Sequence, residues 1–369
     1  MAGQLAATVS KSLDPARLSQ ARLLAGLTKA ALATEVGVSA AAIGQYESGI
    51  TYPRPEHLPR IAKALGVPIE FFAAGRPFAR VDAGVAHFRS LRSTRVGERA
   101  KALAYVEQVW ELTSALERHI EFPDVNLPRL EAADLASPAT AAQLVREHWG
   151  VRSGPFPHLV RTMEIHGVVV TLLPFTANET ARIDAFSTSR LPRPIAVLTP
   201  DRADDVYRHR FTAAHELGHI LLHHDVAPSD QEKEREANAF AAEFLAPAAE
   251  ILEDLPRRLQ MHEVAAISKR WGIPAKSVIT RSREVGVVGE PAARRAYQRL
   301  NELIASGFVA EEPITSFPGE TPSILRRAFQ LAEDHGLTLS DLARELCWTP
   351  ERVRVLLGVD VPRPALRLV

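Results

Sequence analysis

Two histidines four residues apart, with a glutamate directly after the first, stand in the stretch FTAAHELGHILLHH at residues 211–224. On a helix that spacing puts His215 and His219 on one face, one turn apart, where both imidazoles can hold a single metal ion. Glu216 lies beside the first ligand. Zinc lowers the pKa of a water it binds to about 7, and a neighbouring carboxylate can take that proton and later give it to a leaving amine. The chemistry this pattern offers is hydrolysis of a peptide bond. The flanking residues are small or apolar (Ala213, Ala214, Leu217, Ile220, Leu221), so the motif reads as buried. Burying two imidazoles and a carboxylate costs several kcal/mol unless they are ligated or paired. Gly218 leaves room for another element to come close.

A catalytic zinc site uses three protein ligands. A third histidine six positions after His219 would complete one arrangement, but that position is Asp225. The third ligand is therefore expected to be a carboxylate from another helix. The segment EKEREANAFAAEFL at 232–245 offers Glu232, Glu234, Glu236 and Glu243, and Ala237, Phe240, Ala241 and Phe244 mark its buried face. Helix phase places Glu234 nearest the centre of that face, with Glu236 as the alternative. His223 continues the ligand face one turn on, in a supporting or helix-end role.

These residues resemble the ImmA/IrrE family. The resemblance rests on HELGHILLHH and EREANAFAAEFLAP, with Asp184-Ala-Phe-Ser and Arg210-Phe-Thr-Ala-Ala-His upstream, and covers roughly residues 140–255. It implies a zinc-dependent peptidase, metal ligation by His215, His219 and Glu234, and Glu216 as the general base. It also implies a protein substrate such as a repressor or antitoxin. In such a fold a small sheet precedes the metal helix, and an edge strand could bind an extended peptide by β-augmentation. Asp184 to Ser187 is the candidate strand.

Stepping outward, residues 14–73 show short helical stripes broken by turn signals. Thr28 and Ser39 are natural N-caps, and Gly37, Gly26 and Gly66 natural stops. The run GLTKAALATEVGVSAAAIGQYESGITYPRPEHLPRIAKALGVPIEFF resembles the XRE-type helix-turn-helix domain over residues 17–72. The resemblance implies binding to double-stranded DNA, with Thr28 to Val36 crossing the backbone and Ser39 to Glu47 in the major groove. Lys29, Ser39 and Gln45 are the polar candidates for DNA contact, and Ala40 and Ala41 could touch a thymine methyl. Six basic and five acidic residues in 14–73 leave a net charge of only +1, so dimerisation would help by doubling the phosphate contacts. The stripe Leu103, Val106, Val109, Trp110, Leu112 and Leu116 in a helical connector offers a homodimer face, or packs within the chain.

The expected fold class is α+β. It comprises a helix-turn-helix domain at 1–76, a helical connector at 77–135, a zincin-like domain with a small sheet at 136–255, and a mainly helical region at 256–369. Gly167 to Leu173 (GVVVTLL), Asp184 to Ser187 and Ile195 to Leu198 are the strand candidates. Within the last region, Leu259 to Arg283 and the run from Leu337 have a helix-turn-helix look.

Composition sets outer bounds. The chain has 369 residues, zero formal net charge and one cysteine, Cys347, read as a small buried apolar residue. No internal disulfide can form, and any metal site must use His and carboxylates. The apolar run at 167–175 is too short to span a bilayer, and no signal-peptide pattern opens the chain, which points to the cytoplasm. The other function class that fits is a DNA-binding regulator, or an antitoxin, whose zinc domain is a sensor.

Overall fold

The computed structural model describes residues 2–75, 87–88, 96–130, 137–174, 185–189, 191–199, 205–223, 230–308 and 312–359. The chain is α+β, with a small sheet set among helices. Five helices form the N-terminal unit: α1 (Ala2–Lys11), α2 (Pro15–Leu24), α3 (Lys29–Val36), α4 (Ala40–Glu47) and α5 (Leu58–Leu65). The caps are those the sequence predicts. Thr28 accepts from Ala31 N, Ser39 accepts from Ala42 N, and Gly37 stops α3 at φ +80°. Leu18, Leu32, Val36, Ile43, Leu58 and Ile61 are fully buried at the centre of this unit.

Next come β1 (His87–Phe88) and α6 (Val96–Leu116). The helix is not the amphipathic connector its leucine and valine stripe suggests. Tyr105, Val106, Val109 and Leu112 are buried, and so are Glu107, Gln108 and Glu111. The acids meet the N-terminal unit: Arg17 pairs with Glu111, and Gln20 Nε2 donates to Glu107 at 3.1 Å. Gln108 Oε1 accepts from Arg352 Nε at 2.6 Å, and the Tyr105 hydroxyl donates to the carbonyl of Leu172 at 2.9 Å. The stripe proposed as a dimer face is thus covered from within the chain.

Helices α7 (Pro138–His148) and α8 (Leu159–Ile165) lead into β2 (Val169–Leu172), β3 (Ala185–Thr188) and β4 (Ile195–Leu198). The sheet order is β1-β3-β4-β2, with β2 parallel to β4 and the other pairs antiparallel. Alternate residues face opposite sides. Val169, Phe186, Ile195 and Val197 join α6 and the N-terminal unit in one core, whereas Val170, Ala185, Ala196 and Leu198 join the motif helix in a second. This two-sided burial explains why the strands read as continuous apolar runs. The strand taken as a peptide-binding edge is not an edge. Ser187 and Phe186 pair with β1 on one side, and β4 lies on the other; Asp184 lies outside the described residues.

The helix carrying the HExxH motif, α9 (Val206–Leu222), packs on the sheet and against α10 (Asp230–Leu245). A one-turn α11 (Ala248–Ile251) follows, then α12 (Met261–Trp271), α13 (Ala275–Glu284) and α14 (Glu290–Ala305), whose apolar faces enter the same core as α9. The last three helices, α15 (Ile324–Asp334), α16 (Leu339–Leu346) and α17 (Pro350–Leu357), pack instead on α6. They repeat the plan of α2 to α4. Thr338 caps an eight-residue helix, Cys347 turns left-handed at φ 53° where Gly37 does, and Thr349 caps another eight-residue helix. Cys347 is a half-buried helix stop rather than a core residue.

Gly167 shows how tightly the sheet entry is built. It sits at φ +82°, and a Cβ there would lie 2.6 Å from the Asp124 carbonyl oxygen. Gly286, at φ +74°, faces open space. Gly167→Ala is expected to destabilise by roughly 2–4 kcal/mol, combining left-handed strain with a backbone collision, against about 1 kcal/mol for Gly286→Ala. Thermal unfolding of the two variants checks this; equal shifts would refute the collision.

Candidate metal centre

The motif helix is held before it is loaded. Asp205 caps α9 by accepting from Tyr207 N and Arg208 N. Arg210, one of the most deeply buried side chains, donates to the carbonyls of Gly272 and Phe156 and pairs with Glu320. His209 Nε2 donates to the Glu320 carbonyl at 3.0 Å, and burial holds its pKa at about 4. These side chains pin α9 to its surroundings, which is the structural role their neighbourhood suggests. Gly218 faces α10: a Cβ there would lie 3.0 Å from a Phe240 ring carbon. The glycine lets the two helices close on each other.

The close crossing brings α10 side chains onto the motif. His215, Glu216 and His219 are at most 1% exposed. The His215 and His219 Nε2 atoms are 3.0 Å apart. Glu234 places Oε2 3.4 Å from His215 Nε2 and Oε1 3.4 Å from His219 Nε2. Among the described residues these three form a donor cluster with all ligand atoms within 4.8 Å of one another. Donors bound to zinc at about 2.0–2.1 Å with tetrahedral angles stand roughly 3.3–3.4 Å apart. Each imidazole nitrogen thus faces its own oxygen of Glu234, and the spacings of 3.0 and 3.4 Å lie close to those of donors sharing one ion; a set of two imidazoles and a carboxylate suits zinc. Burial pushes the Glu234 carboxyl up, but its place facing His215 and His219 outweighs that and holds it below the usual carboxylate range, so it is ionised.

The outer nitrogens of both rings are occupied. His215 Nδ1 lies 3.2 Å from Asn238 Oδ1, and Asn238 donates through Nδ2 to the Glu234 carbonyl at 2.7 Å. Because the amide oxygen only accepts, His215 carries its proton on Nδ1 and keeps the Nε2 lone pair for a ligand. On the other ring, His219 Nδ1 meets His223 Nδ1 at 2.9 Å, and His223 Nε2 meets Glu236 Oε2 at 3.0 Å. A carboxylate at the end accepts, so His223 donates from Nε2, accepts at Nδ1, and fixes the proton of His219 on Nδ1. Burial holds the His223 pKa at about 4, so the ring is neutral, as this relay needs. Metal-binding histidines are oriented by such outer partners.

Glu236, the alternative third ligand, is thus engaged by His223. Asn238 was not singled out from the sequence. Its signal was present, since it stands one turn after Glu234. Glu216 is wholly buried on α9, and Ser187 Oγ of β3 donates to its backbone carbonyl at 3.3 Å. Glu232 lies on the exposed side of α10, whereas Glu243 is buried against Arg281.

In the N-terminal unit, Lys29 at the start of α3, Ser39 at the α3–α4 turn, and Ala40, Ala41 and Gln45 on α4 are all exposed. Ser39 is engaged as a cap, and Lys29 Nζ lies 3.4 Å from Glu47 Oε2, which Arg22 also holds. Ile50 and Tyr52, 73% and 51% exposed, extend this surface just after α4. Their side chains had not been marked as candidates.

Residues 163–283 match the family described as the IrrE N-terminal-like domain, and residues 18–72 match the helix-turn-helix family. The first match spans from α8 through α13 and includes both motif helices. No curated protein matches the chain. No helix among the described residues is long and apolar enough to cross a membrane. The chain joins an XRE-type helix-turn-helix domain to a peptidase-family domain of the ImmA/IrrE type, the composition of a DNA-binding regulator.

Proposed function

We propose that the protein is a zinc-dependent regulatory peptidase of the cytoplasm. On this reading it cleaves a repressor or antitoxin-type protein, and its helix-turn-helix domain brings the activity to DNA. The carrying observation is the His215, His219 and Glu234 cluster, its ligand atoms within 4.8 Å of one another and set beside a buried glutamate. When bound, zinc supplies Lewis-acid activation of water and of the scissile carbonyl. His215 and His219 present Nε2 lone pairs because Asn238 and His223 take the protons on the opposite nitrogens. Glu234 supplies the negative charge of the ligand set. Glu216 accepts the proton of the attacking water at its carboxylate and delivers it to the leaving amine nitrogen. Lys29 and Gln45 contact DNA, Lys29 as a phosphate partner and Gln45 at a base edge. The alternative, a DNA-binding regulator whose zinc domain only senses, differs at one residue: it gives Glu216 no task.

The purified protein is expected to hold one zinc per chain. Glu216→Gln should keep that metal while turnover falls by at least the roughly 10²–10⁴-fold typical of a lost general base. Cleavage that persists in the variant removes Glu216 from the role, and a metal-free wild type removes the peptidase reading.

The relay behind His219 makes a separate expectation. His223→Ala should weaken zinc about 10–100-fold. Adding Glu236→Ala to that variant should cost nothing further, since the two act in series. Fully additive losses in a zinc-binding titration would mean they act independently.

For DNA, Gln45→Ala should cost about 1–3 kcal/mol at a specific site, and Lys29→Ala should lower the salt slope by about one. Affinities across a salt series test both. Absence of sequence preference in selection from random DNA would count against the domain's regulatory role.

A further inference from the structure

We propose that the cavity between α10 and α13 is the subsite that selects the substrate, and that it takes a bulky apolar side chain of a peptide lying across the metal centre. The inference rests on the peptidase reading above and adds to it the chemical class of residue that is recognised.

The cavity is about 770 Å³, within the roughly 300–1,000 Å³ of ligand pockets. Its near end is formed by Glu234 and Asn238, the two α10 residues that reach His219 and His215. An occupant therefore lies directly against the ligand set. Phe211, one turn before His215 on α9, and Ile273, between α12 and α13, form apolar sides, and Ala242 lies on the α10 side. Room for a large side chain exists because α10 carries a methyl group there.

Arg235, exposed on α10, also lines the cavity; at the far end the charge is committed. Arg281 donates to Glu243 at 2.5 Å, to Glu284 at 3.1 Å and to the Ala246 carbonyl at 3.2 Å. Glu243 also accepts from Gln143 and from Ala248 N. A half-closed ion pair with its donors and acceptors in use offers little to a charged ligand, which would have to break it at the cost of leaving one partner uncompensated. Recognition by this cavity is thus by volume and apolar burial, where one methylene discriminates by about 10–200-fold. The competing route, strand addition to β3, is taken up by β1 within the chain.

The experiment uses the full chain carrying Glu216→Gln, loaded with zinc, and fluorescent decapeptides that differ at one central position (Leu, Phe, Gly, Asp or Lys). Anisotropy titrations should show Leu- or Phe-centred peptides binding at least tenfold more tightly than the Gly, Asp and Lys versions. Ala242→Trp, filling the cavity from α10, and Ser277→Trp, filling it from α13, should each erase that preference while zinc content and DNA affinity stay unchanged. A preference that survives in both folded, zinc-loaded variants overturns the inference and leaves the peptidase reading intact. No binding of any peptide also overturns it. Should the preference vanish in the filled variants while the parent enzyme, with Glu216 intact, cleaves none of these peptides, the cavity stands as a peptide site and the peptidase reading falls.

Discussion

Three buried imidazoles meet the partly exposed carboxylates of Glu234 and Glu236 where α9 crosses α10, beside the buried Glu216. In a medium of low dielectric such groups must satisfy one another or cost several kcal/mol each. That need sets the geometry around them. The crossing has to be close, so Gly218 faces Phe240. The motif helix has to be fixed in rotation, so Arg210 ties it to the carbonyls of Phe156 and Gly272 and to Glu320. Glu320 in turn accepts from the backbone at the start of α8. A chain of buried polar contacts thus runs from Arg210 on the motif helix through Glu320 to the start of α8.

The sheet is the partition on which the rest is organised. One face belongs to the metal centre, and the other to α6 with the N-terminal and C-terminal helical units. Helix α6 buries polar and charged side chains that are answered from other parts of the chain: Gln20 at Glu107, Arg17 at Glu111 and Arg352 at Gln108; just past its end Arg118 pairs with Glu345. The N-terminal unit meets α6, and α6 in turn meets the sheet on the face opposite the motif helix. Removing one partner of the Arg17–Glu111 pair would leave a buried charge uncompensated, so that contact specifies placement more than it adds stability.

The C-terminal unit uses the helix-turn-helix plan for a different end. Its turn and caps match those of α3 and α4, yet the second helix offers Pro350, Glu351 and Val355 where the N-terminal unit offers Ala40, Ala41 and Gln45. Its Arg352 stacks near Tyr105 and bonds Gln108 instead of facing outward. The same local architecture has been turned inward, onto α6.

What the sequence determined is what depends on a few adjacent residues. Thr28, Gly37 and Ser39 set helix ends because a cap is made within four positions. The spacing of His215 and His219, and the phase of Glu234 on its helix, follow from 3.6 residues per turn. Strands β2 and β4 announced themselves by β-branched residues, whereas β1 falls in a stretch read as a helical connector. Tertiary structure decided whatever required two distant segments to meet. The burial of Glu107, Gln108 and Glu111 has no local sign, because their partners lie some 90 or 240 positions away. Helix phase ranked Glu234 above Glu236, but only the crossing shows that Glu234 faces His215 and His219 while Glu236 faces His223. The β3 strand carries no local sign that β1 will cover it, and the helices after residue 256 divide between two cores because burial is settled by neighbours in space, not in order along the chain.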